Sequence, residues 1–126
     1  MAEKNSWDKA LAFVAAALDK KAVDLSVLCV KEMTSIADYF IICSGRSDRQ
    51  VQSIAQGIEA ASHTLGIKPF AVEGASRGHW LLMDFSDVIV HIFYEPVRRF
   101  YDLEGLWGDA PRAELPEKYA KLAGQL

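Results

Sequence analysis

Asp38-Tyr39-Phe40-Ile41-Ile42-Cys43-Ser44-Gly45-Arg46-Ser47-Asp48-Arg49-Gln50-Val51 is the stretch on which the fold turns. From Tyr39 to Cys43 every residue is apolar or aromatic, without alternation, which is the pattern of a strand covered on both faces of its sheet. Ser44-Gly45-Arg46 then interrupts the run with small and polar residues. Ser47 followed three residues later by Gln50 reads as a capping box, in which the hydroxyl accepts from a free amide of the first helical turn. Val51, Ile54, Ala55, Ile58 and Leu65 recur at helical spacing, and Gly66 with Pro69 marks the stop. A strand, a small-residue turn and a helix in this order predict an α/β domain.

Upstream, Ser6 is suited to cap a helix in which Trp7, Leu11, Val14 and Leu18 form one apolar stripe, ending near Lys20-Lys21 where positive charge suits the carbonyl end. Asp24 to Val30 is rich in apolar and β-branched residues and reads as a second doubly covered strand. Downstream, Phe70 to Val72 is a short strand, residues 73–78 a flexible loop, and His79 to Asp84 a strand facing Val88 to Tyr94. A turn at Phe85-Ser86 makes Asp84 and Asp87 direct partners, which sets His79 opposite Ile92 and Trp80 opposite His91. Pro96 suits the first turn of a last helix running to about Leu103 and closed by Gly105. The order α-β-β-α-β-β-β-α predicts a mixed sheet of about five strands flanked by helices. One domain over residues 1–110 is expected, followed by a partly flexible, loosely attached tail, 111–126, in which Glu117 to Leu122 has the makings of a helical turn.

With 126 residues, 51% hydrophobic and 25% charged, the composition is that of one globular domain. No apolar run approaches the roughly 20 residues that span a bilayer, and the first residues lack the regions of a secretory signal, so a cytoplasmic protein without a membrane partner is expected. A net charge of −3 repels phosphate and gives no footprint of direct, sequence-specific nucleic-acid recognition. Cys29 and Cys43 lie inside apolar runs without Cys-x-x-Cys spacing, the pattern of buried, reduced thiols and not of a zinc or redox pair.

Candidate chemistry is sparse. The Ser44-Gly45 turn before a helix suits an anion, but the glycine-rich patterns of phosphate loops are missing. Two-metal nucleotidyl transfer needs two carboxylates on one strand face, two residues apart, whereas Asp84 and Asp87 are three apart across a turn. His79, His91 and Asp84 do not specify a ligand geometry either. No catalytic, cofactor-binding or metal-binding residue is therefore expected, and a nucleotidyltransferase-fold enzyme or phosphate-binding protein is the alternative reading. Aromatic residues interleaved with acids point elsewhere: Trp80, Tyr94, Phe100, Tyr101 and Trp107 alternate with Glu73, Asp84, Asp87, Glu95, Asp102 and Glu104. Aromatic anchors with a polar rim are what protein interfaces favour. Phe100 and Trp107 are expected in the core, while Trp80 suits core and interface equally.

The same residues carry a resemblance. Asp38-Tyr39-Phe40, Ser44-Gly45 with Arg49 and Val51, Val72-Glu73-Gly74, Trp80, Asp84-x-x-Asp87-Val88-x-Val90-His91, and Tyr101-Asp102-Leu103-Glu104-x-Leu106-Trp107-Gly108-Asp109 together resemble the ribosomal silencing factor (Iojap) family over residues 24 to 111. Ser86, Asp48 and Gly105 depart from the family's common glycine, serine and lysine. The resemblance implies a nucleotidyltransferase-like fold without the catalytic acids, and no enzymatic step. It also implies a partner, the fourteenth protein of the large ribosomal subunit, bound where the small subunit docks so that subunit joining and translation are repressed, with homodimers when no ribosome is present. Trp80 is the expected anchor of that contact, with Glu73, Asp84, His91, Tyr101 and Glu104 as its neighbours.

Overall fold

Ser47 caps a helix as its sequence dictates, its Oγ accepting from Gln50 N at 3.1 Å, while Gln50 Oε1 accepts from Arg46 N at 2.6 Å, one residue before the Ser47 amide that a capping box engages. This fixes the start of α2 (Asp48–Thr64), whose Val51, Ile54, Ala55 and Ile58 are buried as their spacing predicts. A computed structural model of the chain describes residues 5–74 and 79–123. Its elements begin with α1 (Ser6–Asp19), β1 (Val23–Cys29) and β2 (Tyr39–Gly45) ahead of α2, then β3 (Ala71–Glu73), β4 (Trp80–Asp84) and β5 (Val88–Tyr94). Three short helices follow, α3 (Glu95–Tyr101), α4 (Leu103–Leu106) and α5 (Glu117–Leu122).

The sheet has the order β1-β2-β5-β4-β3. Only β2 and β5 pair in parallel, which requires a crossover; α2 and the β3–β4 hairpin lie between them in sequence. All other neighbours are antiparallel, so the sheet is mixed, as expected. One face packs on α1, α2 and α5 around Phe13, Ile54, Ile58, Ile41 and Val90. The other packs Phe40, Ile42, Ile89 and Phe93 beneath Leu103, Trp107 and Ala110. Each fully buried aliphatic or aromatic side chain contributes roughly 1.5–3 kcal/mol relative to exposure.

Several local expectations are corrected. The cap of α1 is Asn5, not Ser6: Asn5 Oδ1 accepts from Asp8 N at 2.8 Å, and Ser6 becomes the first, buried helical residue. The buried stripe of α1 is accordingly turned, with Ala10, Phe13, Val14, Ala17 and Leu18 inside and Trp7 and Leu11 at its margin. The last helix is broken in two, because Asp102 adopts a left-handed conformation (φ 45°) and its carboxylate caps α4 through Gly105 N at 3.2 Å. A side chain at position 105 would meet that carboxylate, at 2.2 Å from Asp102 Oδ2. Cys43 is buried and free, its thiol pushed up to about 12 by burial, whereas Cys29 is free but only half-buried.

The β4–β5 register is displaced by two residues from the expected one. Phe85 N donates to Val88 O at 2.9 Å, so Ser86 and Asp87 form the turn and Asp84 pairs with Ile89. Ser86 takes φ 76°, the conformation for which glycine is the usual choice, and its amide donates to Asp84 Oδ1 at 2.8 Å. Trp80 thus faces Phe93, and His91 faces Leu82. A two-residue slip preserves the side of every residue, so the face assignments stand.

The segment after Ala110 is held on the sheet and is not loosely attached as far as residue 123. Cys29 N donates to Pro111 O and Ala113 N to Val27 O, both at 2.8 Å, so this segment pairs with the outer edge of β1. Leu115 and Ala120 are buried in the core that α1 and α2 line. Residues 124–126, and residues 75–78 of the expected loop, lie outside the described residues.

Candidate functional site

Alternation along β4 defines the site. Leu81 and Met83 are buried toward α1 and α2, while Trp80, Leu82 and Asp84 on the opposite side are only half-buried. The cross-strand rows on that side run Glu73-Leu82-His91-Ile42 and Ala71-Asp84-Ile89-Phe40. Four of the residues singled out in the sequence, Glu73, Trp80, Asp84 and His91, therefore share one face.

Tyr101 joins them from α3. Its ring centroid lies 4.6 Å from that of Trp80, which also stacks on Phe93 at 5.0 Å. Trp80 and Tyr101, together with Gly74, His79, Val97 and Phe100, line a groove of about 470 Å³. Phe100 corrects an expectation: at 84% exposed it is on the surface, whereas Trp107 is half-buried and packs edge-on against buried Phe40 at 5.0 Å from the margin of the core. Packed edge-on against Tyr101, itself 50% exposed, Phe100 adds apolar surface beside the Trp80 shelf. The short length of α3 concealed this, since seven residues give too few turns for a stripe to declare its buried side.

Gly74 was also missed as a site residue. It has φ 83°, and a Cβ there would lie 2.1 Å from Trp80 O. Only glycine allows the end of β3 to approach the Trp80 backbone so closely. The Val72-Glu73-Gly74 run was the available signal, but its reason lies across the sheet.

His91 and Glu104 are placed differently from their neighbours. His91 is 5% exposed and sits under Trp80, and burial lowers its imidazole to about 4, so it is neutral at pH 7. Glu104 lies toward β1 in an internal network: Arg98 Nε donates to its Oε1 at 2.9 Å, Ser26 Oγ to its Oε2 at 3.1 Å, and Arg112 approaches at 3.4 Å. Burial works to raise the Glu104 carboxyl; the hydrogen bond and charge of Arg98, with Ser26 and Arg112, overcome it and hold the group below the usual carboxylate range. Arg98 also donates to Asp24 O at 2.6 Å and Ser44 Oγ at 2.9 Å, tying α3 to two strands. Ser44 and Gly45, expected as a turn, are instead the last paired residues of β2, and the Ser44 hydroxyl is engaged by Arg98.

Asp84 and Asp87 do not converge. Asp84 accepts from Ser86 N, whereas Asp87 pairs with Lys9 of α1 at 2.5 Å. Among the described residues no group of three His, Cys, Asp or Glu side chains is arranged to hold a metal ion, and no helix is long and apolar enough to cross a membrane. An aromatic pair on a half-open sheet face, with Glu73 and Asp84 standing on the same face, suits contact with another protein.

Known proteins give that arrangement a particular identity. A family model described as ribosomal silencing factor during starvation matches residues 3–125, extending through the segment expected to be a separate tail. The ribosomal silencing factor RsfS of Bacillus subtilis (strain 168) is 46% identical over 101 residues, covering 80% of this chain and 86% of that protein. A crystal structure from Bacillus halodurans superposes with a TM-score of 0.79 at 36% identity, covering 87% of this chain and 100% of that one. The mouse mitochondrial assembly of ribosomal large subunit protein 1 is 30% identical over 91 residues, or 70% of this chain and 40% of that protein. The chain belongs to the ribosomal silencing factor family.

Proposed function

We propose that this protein binds the large ribosomal subunit through its fourteenth protein and represses translation by occupying the surface on which the small subunit docks. Family membership supports the reading, as does the mouse relative, whose name assigns it to assembly of a ribosomal large subunit. The observation that carries it is the Trp80–Tyr101 pair, which presents half-buried, rigid aromatic surface on the side of the sheet that the short helices cover only in part. Glu73 and Asp84 at its rim complement a basic ribosomal-protein surface and make the encounter sensitive to salt. His91 supports this face from within, and Glu104 holds α3 in place through Arg98. No chemical step is needed, because two partners that overlap on one surface compete by mass action. The free protein is proposed to reside in the cytoplasm and to form homodimers when no ribosome is present.

Sedimentation of the protein with purified subunits tests the proposal. Co-migration with the large subunit and a smaller fraction of joined ribosomes is expected; free migration with undiminished joining overturns it.

A further inference from the structure

His91 stands on β5, buried at 5% exposure among Phe40, Phe93, Leu82 and Trp80, where an aliphatic residue would pack without polar cost. Its Nδ1 is 3.2 Å from Trp80 Nε1. An indole nitrogen only donates, so Nδ1 must be the unprotonated nitrogen and the imidazole proton sits on Nε2. That Nε2 has no hydrogen-bond partner among the described residues. A buried donor left unpaired is unfavourable, so the histidine is not accounted for by stability alone. What it does provide is one acceptor, aimed at the indole of the residue that anchors the docking face.

We propose that His91 is the positioning residue of Trp80, its Nδ1 fixing the indole orientation in which the ring lies against Phe93 and Tyr101 and keeps its outer face open to a partner. The register makes this possible: Trp80 and His91 are diagonal neighbours on one sheet face, a separation that an aromatic side chain can span. Stacking on Phe93 alone leaves the indole free to flip about its outer torsion, which is broad for aromatic rings. The hydrogen bond distinguishes the two orientations, because only one directs Nε1 at His91. The inference rests on the docking role proposed for Trp80.

The test compares His91→Leu, which removes the acceptor, with His91→Asn, whose amide oxygen can stand near the place of Nδ1. Large-subunit binding is measured beside thermal unfolding, and the indole N–H signals of Trp7, Trp80 and Trp107 are followed by NMR, Trp80 being assigned through Trp80→Phe. In the wild-type protein the Trp80 indole proton is expected to exchange with solvent at least about tenfold more slowly than in free tryptophan, the protection a hydrogen bond confers. His91→Leu should lose that protection and bind about tenfold more weakly, or 1.4 kcal/mol, with His91→Asn recovering most of both. In a Trp80→Phe background, which has no donor, His91→Leu should change binding by less than about twofold. Rapid exchange in the wild-type protein overturns the inference even if no His91 variant folds. So does equal weakening by His91→Leu in both backgrounds. If the indole proton is protected but Trp80→Phe and His91→Leu both bind normally, the docking role of Trp80 fails and the positioning role fails with it; normal binding by His91→Leu alone removes only the latter.

Discussion

One face of the sheet is sealed as far as β4 and the other is half open, although both are lined by the same kinds of residue. Five strands at about 4.8 Å spacing span about 20 Å, and two helices, each about 10 Å across, cover that width. On the sealed side α1 and α2 supply 14 and 17 residues, and Phe13, Ile54 and Ile58 have no exposure. On the other side α3 and α4 supply 7 and 4, enough to bury β2 and β5 at Phe40 and Phe93, while on β4 Trp80 meets only Tyr101 of α3 and, with Leu82 and Asp84, stays half-buried. The difference teaches that the half-open face arises from a shortage of helix, not from a special composition of strand.

If the two faces are separable, damage to the sealed one should cost folding and spare binding. Ile58→Ala is expected to lower unfolding stability by about 3 kcal/mol in denaturant titration while folded molecules still co-sediment with the large subunit. Loss of binding by the folded fraction would break the comparison. On the open face, Trp80→Ala should weaken large-subunit binding by about 2 kcal/mol or more with a smaller loss of stability than Ile58→Ala. A Trp80→Ala protein that melts far earlier than Ile58→Ala makes Trp80 core instead.

Acid sharpens the contrast, because His91 lies under the open face. Its folded pKa, about 4, is below the ordinary 6.5, so the fold favours the neutral ring; that stability is fully present above about pH 6.5 and is lost as pH falls toward 4. Between pH 7 and 5 the wild-type protein should lose about 2 kcal/mol more stability than His91→Leu, as read from paired denaturant titrations. Parallel pH profiles for the two proteins would remove His91 as the cause. The smallest effect is expected at Glu104: Glu104→Gln should cost about 1 kcal/mol of stability by weakening the Arg98 contact. Its slope of binding against salt should match wild type, since this carboxylate is engaged internally; a shallower slope would place Glu104 at the rim after all.

Much of this was legible in the sequence, for reasons that are local. Ser47 and Gln50 cap α2 by contacts three residues apart, and Val51, Ile54 and Ile58 declare their side by spacing alone. The face shared by Trp80, Asp84 and His91 follows from strand parity, which a two-residue slip leaves intact, whereas Glu73, expected in a loop, joins it only through the β3–β4 register. What could not be read depends on distant partners. Nothing near Pro111 announces that its carbonyl accepts from Cys29, and Asp102 gives little sign that it breaks the last helix by turning left-handed. Phe100 looked like core because large aromatics usually are, yet α3 points it outward. Glu104 read as a rim acid because Arg98, its partner six residues away, reaches it only across the kink.

The strap formed by residues 111–113 has a consequence for how copies of the chain can meet. It occupies the outer edge of β1 beside Val27 and Cys29, and the rest of that strand is interrupted by an irregularity between Val23 and Ser26, where Asp24 takes φ 51°. Among the described residues the opposite edge, β3, carries no further strand. Endless edge-to-edge growth needs a ribbon that is open on both sides. With one side strapped, this sheet can be extended once across β3, and such a pairing ends there instead of propagating into a fibre.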